Sequence, residues 1–172
     1  SPEITGHIRR EGLMPGAILL THGHFDHIMG IEGFLKEFDV PVYAHKEEQA
    51  LLKDASMNAS ADYGRSYTYP GASYVEDAEV LELAGMRFQV LYTPGHTIGG
   101  CCYYVEEEHV LFSGDTLFRA SVGRSDFPTG NGRQLLDSIR KKLMVLPEET
   151  AVYPGHMEET SIGYEKRFNP YL

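Results

Sequence analysis

The chain has 172 residues, a length that fits one domain with a sizeable apolar core. Apolar residues make up 42% of it and charged residues 23%, which are ordinary values for a folded protein and argue against long disorder. The formal net charge of −10 argues against nucleic acid or an anionic membrane as a partner, because both require a basic face.

The first third of the chain alternates between helix and strand patterns. Short apolar runs bounded by glycine or proline indicate strands, and apolar residues three or four positions apart indicate helices. From these patterns we predict, in chain order, a helix and turn over residues 1–15, a strand over 17–21, a helix over 27–38, a strand over 41–45 and a helix over 46–53.

Residues 54–77 are rich in serine, alanine, tyrosine and glycine, so we predict a long loop there. Its tyrosines either line a pocket or simply pack within the loop: Tyr63, Tyr67, Tyr69 and Tyr74. The later patterns predict strands over residues 79–83, 86–92, 100–105 and 110–113, a helix over 135–146 and a last strand over 151–153. This mixture predicts one α/β (α+β) domain over residues 1–172, with sheet layers flanked by helices.

The only two cysteines, Cys101 and Cys102, are neighbours in the sequence. Adjacent cysteines close a disulfide only with strain, so we expect buried free thiols and a reducing, cytoplasmic compartment. The sequence contains no run of 18 apolar residues, so we predict no membrane span. Nothing in the pattern favours one oligomeric state over another.

The residues best suited to chemistry lie in the segment THGHFDH at residues 21–27. Imidazole and carboxylate groups are the ligands that zinc-like ions prefer. Because residues i and i+2 of an extended segment point the same way, His22 and His24 converge on one metal. The turn that follows brings Asp26 and His27 toward a second. Four such residues in so short a segment indicate a metal site rather than ordinary loop histidines.

Three more candidate ligands follow downstream, each just after an apolar strand and beside a glycine. They are His96 in TPGHT, Asp115 in SGDT and His156 in YPGH. Loops at strand ends are where a rigid scaffold presents functional side chains. Together with the first segment they supply seven ligands, enough for two metal ions.

The order H-x-H-x-D-H, then a distant histidine, an aspartate and a last histidine, resembles the metallo-β-lactamase superfamily. The segments TPGHT, SGDTLF, VGRSDFP and IGYEKRFNP are similar to those of the short, single-domain glyoxalase-II-like (hydroxyacylglutathione hydrolase-like) enzymes. The resemblance covers residues 17–172. It implies an αββα sandwich, in which two sheets lie face to face with helices outside and the metal site lies at one edge.

The resemblance also implies a role for each ligand. A first metal would be held by His22, His24 and His96. A second metal would be held by Asp26, His27 and His156. Asp115 would bridge the two metals. The implied cofactors are two divalent ions, zinc before iron or manganese. The implied reaction is hydrolysis of a small-molecule thioester, such as an S-acylglutathione, by a metal-bridging hydroxide. Asp26 is the predicted catalytic residue, because it would orient that hydroxide.

The chain departs from these enzymes in three places. Only 21 residues precede His22, and residues 1–15 are predicted to be helical, so we expect the first N-terminal strands of the sandwich to be missing. Arg124 stands where the long enzymes have a basic residue that contacts the substrate's carboxylate. It either binds substrate here or pairs with Asp126. Glu158 stands where they have an aromatic residue, and this acid disfavours an anionic peptide.

Two other interpretations stay open. A persulfide dioxygenase, which this chain resembles in the segment GRSDF, would hold one iron on His22, His96 and Asp115. A non-catalytic member would keep the fold without the chemistry, although the intact set of ligands argues against it. Nuclease and β-lactamase activities fit less well, because the charge is acidic and the motifs differ from those of the lactamases.

Overall fold

The computed structural model describes residues 2–172, and six α-helices and eleven strands are defined within that range. The helices are α1 (Pro2–Arg10), α2 (Phe25–Ile28), α3 (Ile31–Leu35), α4 (Gln49–Lys53), α5 (Gly132–Ser138) and α6 (Ile162–Phe168). A 3₁₀ turn, Lys46–Glu48, precedes α4, and a π-helical turn, Ile139–Leu143, continues α5. The strands are β1 (Ile18–Leu19), β2 (Val42–His45), β3 (Ser73–Val75), β4 (Val80–Leu83), β5 (Met86–Tyr92), β6 (Cys101–Val105), β7 (Val110–Gly114), β8 (Leu117–Phe118), β9 (Ser121–Val122), β10 (Ala151–Pro154) and β11 (Thr160–Ser161).

The strands form two main sheets and one small hairpin. The first sheet is parallel and has the order β1-β2-β3. The second has the order β11-β10-β7-β6-β5-β4, with an antiparallel meander from β4 to β7 and a parallel pairing of β7 with β10. The hairpin pairs β8 with β9. As a result, β5, β7 and β10 run in the same direction, and their carboxyl ends lie at one edge of the sheet.

Three clusters of buried apolar side chains separate the layers. Ile28 and Leu52 belong to the cluster between the first sheet and helices α2–α4. Val90 and Tyr103 belong to the cluster between the two sheets, and Leu135 to the cluster between the second sheet and helices α5 and α6. Helix, sheet, sheet and helix therefore follow one another, which confirms the predicted αββα sandwich.

The N-terminal part begins with α1, as the sequence predicted for residues 1–15; Ser1 itself lies outside the described residues. Within residues 2–172 no strand precedes β1, and the absence of the sandwich's first strands stays a prediction. An apolar groove of about 400 Å³ lies between the sheets beside β1, with Leu19, Phe88 and Phe112 in its walls.

Two local predictions were wrong. The helix expected over residues 27–38 is two short helices, and the first of them already begins at Phe25. The loop expected over residues 54–77 contains β3. This strand has only three residues and lies within a polar segment, so the sequence pattern did not predict it. Three of its tyrosines, Tyr67, Tyr69 and Tyr74, pack against the first sheet's cluster.

None of the helices formed by residues 2–172 combines the length and the apolar character needed to cross a membrane.

Candidate metal centre

The loop between β1 and α2 presents the first four candidate ligands. His22 and His24 are buried, and the backbone of His24 is extended, with φ −63° and ψ 152°, immediately before the helix begins. Asp26 and His27 lie in the first turn of α2. The change from extended to helical backbone therefore divides the segment into two pairs of side chains, as its spacing predicted.

The other three candidates follow the strands whose carboxyl ends share one sheet edge. His96 lies after β5, Asp115 directly after β7, and His156 two residues after β10. Glycine is required beside one of them because the loops approach closely. A Cβ on Gly155 would lie 2.8 Å from the Cε1 of His27 and would overlap the carboxylate of Asp115. The glycines noted in the sequence thus allow the ligand loops to meet.

Asp115 lies at the centre of the group. Its Oδ2 is 4.0 Å from the Nε2 of His22, 3.6 Å from that of His96 and 3.6 Å from that of His156. Its Oδ1 is 3.4 Å from the Nε2 of His27. This is the position expected of a carboxylate between two metal ions.

The ligand atoms form three groups in which every atom lies within 4.8 Å of the others. Two of these groups are the predicted ligand sets: His22, His24 and His96, and Asp26, His27 and His156. The third group contains the predicted bridging residue Asp115 with one histidine of each set, His22 and His27. The structure therefore brings all seven predicted residues together, while the role of each as a ligand stays a prediction.

The donor atoms fit a bound cation. Among the described residues, the Nε2 atoms of His22 and His27 and the Oδ1 of Asp115 are buried without a hydrogen-bond partner. Buried polar atoms left without partners cost free energy, and a divalent ion would coordinate them. Imidazole nitrogen and carboxylate oxygen suit zinc, iron or manganese.

The electrostatics of the site favour neutral imidazoles in the first ligand set. Burial, together with the neighbouring histidines, lowers the pKa of His22 well below its usual value and that of His24 to about 4. Burial also lowers the pKa of His96. At neutral pH these rings therefore carry no proton that a metal would have to displace. His27 differs: burial lowers its pKa, but the nearby carboxylates of Asp115 and Asp26 together outweigh burial and raise it.

A hydrogen bond fixes the orientation of His96. Its Nδ1–H donates to the backbone carbonyl of Arg124 at 2.7 Å, so its Nε2 faces the other ligands, 2.9 Å from the Nδ1 of His24 and 3.6 Å from the Oδ2 of Asp115. The Arg124 side chain forms a bidentate ion pair with Asp126, with both N–O distances 2.6 Å. Its guanidinium lies 4.0 Å from the ring centre of Phe127. Arg124 therefore forms the predicted ion pair with Asp126, and it also lines a cleft over the candidate ligands.

A cleft of about 400 Å³ opens over the ligands and has aromatic walls. Tyr63 stacks on Phe25 with ring centres 4.2 Å apart, and Phe118 and Phe127 form other parts of the wall. Of the four loop tyrosines, Tyr63 alone is among the cleft residues. The phenylalanines were missed as wall residues, although each lies within or beside a motif that also carries a ligand or Arg124.

The C-terminal motif IGYEKRFNP anchors one wall of the cleft. The buried carboxylate of Glu165 accepts hydrogen bonds from the Ala120 N–H at 3.1 Å and from the Asn169 side chain at 2.7 Å. Asn169 also donates to the carbonyl of Ser121. These contacts join α6 to the β8–β9 hairpin, whose residues face the cleft. Glu158, predicted to repel an anionic peptide, pairs with Arg119 at 3.2 Å.

Comparison with known proteins identifies the family. The profile of the metallo-β-lactamase superfamily matches residues 3–156. The chain belongs to the metallo-β-lactamase superfamily. It is 41% identical over 172 residues to the probable metallo-hydrolase YqgX of Bacillus subtilis, covering 99% of this chain and 82% of that protein. It is 35% identical over 158 residues to the hydroxyacylglutathione hydrolase GloC of Haemophilus influenzae, covering 90% and 74%. Family and relatives support a metal-dependent hydrolase.

Solved structures share the same fold. The B3 metallo-β-lactamase BLEG-1 superposes with a TM-score of 0.94 at 41% identity, over 98% of this chain and 82% of that one. A di-iron-bound form of TTHA1623 gives 0.89 at 37% identity, over 99% and 84%. ETHE1 from Myxococcus xanthus gives 0.77 at 31% identity, over 98% and 68%. These similarities agree with a binuclear metal site built from the histidine-rich cluster.

Proposed function

We propose that this metallo-hydrolase cleaves a thioester of the S-acylglutathione class. The observation that carries the proposal is the convergence of seven imidazole and carboxylate side chains beneath one aromatic cleft. The relationship to GloC, which is named a hydroxyacylglutathione hydrolase, supports the choice of a thioester. The acidic charge supports a small-molecule substrate rather than nucleic acid.

The residues around the cleft fit this chemistry. Two divalent ions, when bound, would polarise the substrate carbonyl and lower the pKa of a water molecule. Asp26 would accept a hydrogen bond from that water, because its carboxylate borders the cleft and its Oδ2 lies 3.0 Å from the Nε2 of His156. The stacked rings of Phe25 and Tyr63 would shield the acyl group from solvent. A thiolate leaves without help from a general acid, because an ordinary thiol has a pKa of about 8.5.

Zinc is the proposed metal, and the di-iron form of TTHA1623 makes iron the first alternative. The cytoplasm is the proposed compartment. Both cysteines, Cys101 and Cys102, are buried free thiols, which suits a reducing environment.

The direct test is hydrolysis of S-D-lactoylglutathione by metal-loaded protein, followed by loss of the thioester absorbance. We expect turnover that a chelator abolishes, because the ligand cluster would be left without its ions. His24→Ala should lower kcat/KM by about 10³-fold, equivalent to about 4 kcal/mol. The matched control is His7→Ala, an exposed histidine far from the ligands in sequence, which should retain full activity. Full activity and full metal content in His24→Ala would refute the assignment.

Two other activities are tested in the same preparation. The similarity to BLEG-1 favours hydrolysis of a β-lactam, for which a chromogenic cephalosporin is the substrate. The similarity to ETHE1 and the proximity of His22, His96 and Asp115 favour an iron dioxygenase. Oxygen consumption that depends on a persulfide, with one iron per chain, would support the dioxygenase. Thioester hydrolysis with two metals per chain would support our proposal.

The ion pair between Arg124 and Asp126 predicts opposite effects for its two partners. Arg124→Ala should raise KM for an anionic glutathione thioester about fivefold, because about 1 kcal/mol of contact with the substrate's carboxylate is lost. Asp126→Asn should lower KM, because it releases the guanidinium from its bidentate partner. Steady-state kinetics of both variants check this. An unchanged KM in both would mean that the pair is purely structural.

A further inference from the structure

Glu48 is a fully buried acid that plays no part in the chemistry described above. It lies at the end of the 3₁₀ turn before α4 and on the same face as Leu51 and Leu52, three and four residues later. A carboxylate is expensive to bury, and burial raises the pKa of Glu48 to about 7. A buried acid at such a position needs an explanation.

The hydrogen bonds of Glu48 join two separate ligand loops. Its Oε1 accepts from the backbone N–H of Gly23 at 2.7 Å. Its Oε2 accepts from the Thr97 hydroxyl at 3.0 Å and from the Gly99 N–H at 2.8 Å. Gly23 lies between His22 and His24 in the sequence, and Thr97 directly follows His96. One carboxylate thus holds both segments that carry the first ligand set.

The packing around Glu48 leaves little room for either loop to shift. A Cβ on Gly99 would overlap the backbone and carboxylate of Glu48. A Cβ on Gly23 would lie 3.0 Å from the Cδ2 of Leu52 and 3.4 Å from the Cγ of Glu48. Thr97 is itself fully buried. The loop after His96 therefore reaches this carboxylate only because glycine occupies position 99, whereas a side chain at position 23 would press on Leu52.

We propose that Glu48 is a positioning residue, which sets the distance between His22–His24 and His96 and thereby the affinity of the first metal site. The inference rests on the proposed metal-dependent function. A role in folding alone would destabilise the whole domain and treat both metal sites equally. A positioning role acts on the first site, because among the described residues the hydrogen bonds of Glu48 go to the His22–His24 and His96 loops and none goes to Asp26, His27 or His156.

The test is Co²⁺ binding to Glu48→Gln, followed by its visible absorption and by competition with a chelator. Glutamine replaces one acceptor oxygen of Glu48 with a donor nitrogen. At least one of the three donors, on Gly23, Thr97 and Gly99, would then face another donor. We expect affinity at the first site to fall by about 10–100-fold, as for other groups that orient metal ligands, with the second site changed less than threefold. The matched control Glu47→Gln, at the exposed neighbouring residue, should bind as the wild type does.

Thr97→Val keeps Glu48 and removes one of its three hydrogen bonds, so it decides the question if Glu48→Gln does not fold. It should weaken the first site in the same direction by a smaller factor. Unchanged Co²⁺ affinity in the folded variants would overturn the inference, as would equal losses at both sites accompanied by a lower Tm of the metal-free protein. A wild-type chain that binds no Co²⁺ would overturn the proposed function as well. Because the readout is metal binding, the identity of the substrate does not affect the result.

Discussion

Replacing Asp115 by alanine should abolish binding of one metal ion and lower kcat/KM for the thioester by about 10³-fold or more. The carboxylate lies within 4.0 Å of the Nε2 atoms of four histidines, two from the first ligand set and two from the second. No other described side chain occupies that central position. Two ions without an anionic bridge would repel each other, and losing one forfeits several kcal/mol of Lewis-acid stabilisation. Metal content per chain and steady-state kinetics measure both effects.

The control for Asp115→Ala is Asp39→Ala, which removes an exposed carboxylate from the surface. It should leave metal content and kinetics unchanged. The fold itself should persist in Asp115→Ala, since the side chain contacts the ligand cluster rather than the apolar clusters between the layers. Two metals per chain and full activity in Asp115→Ala would show that the cluster is not a bridged binuclear site.

The clustering of the seven candidate ligands was predictable because these residues follow local rules. The spacing of His22, His24, Asp26 and His27 depends only on where an extended segment becomes a helix. The later ligands follow apolar strands, and strand ends are visible in the sequence. What brings the loops together in space is the shared direction of β5, β7 and β10. The family resemblance supplied that direction, because spacing along the chain contains no information about it.

The parts that were missed depend on tertiary contacts. In the sequence, Glu48 is one of several charged residues in a segment predicted to be a short helix. Only its spacing to Leu51 and Leu52 indicates that it lies on the buried face. The strand β3 exists because it pairs with β2, since its three residues have no distinctive pattern. The short helices α2 and α3 are separated near Gly30. The apolar residues keep helical spacing across that position, so the sequence pattern does not reveal the break. Propensity is a weak guide at such positions, because packing overrides it.

A second large effect is expected from Gly95→Ala, in the loop that carries His96. Gly95 has φ +139°, a conformation that L side chains rarely adopt. A Cβ there would also overlap the backbone of Leu135 in α5. Two hydrogen bonds hold the loop and the helix together. The Asn131 N–H donates to the Gly95 carbonyl at 2.7 Å, and the Ser138 hydroxyl donates to the Pro94 carbonyl at 2.7 Å. The added methyl group must therefore separate them.

The free energy of unfolding should fall by about 3 kcal/mol or more in Gly95→Ala, from backbone strain and overpacking together. For a domain of this size that lowers Tm by about 6–12 °C. Thermal unfolding of the metal-free protein measures the effect without any contribution from bound ions. Metal affinity should fall too, because His96 moves with the loop.

The control is Gly33→Ala in α3, where a Cβ meets no atom within 4 Å. Alanine favours a helix over glycine, so this variant should be neutral or more stable by up to about 1 kcal/mol. The same chemical change therefore has opposite signs at the two positions, and only the loop position affects the metal centre. A Tm for Gly95→Ala equal to that of the wild type would mean that the His96 loop does not pack on α5 in solution, and the orientation of His96 toward Asp115 would then need another cause.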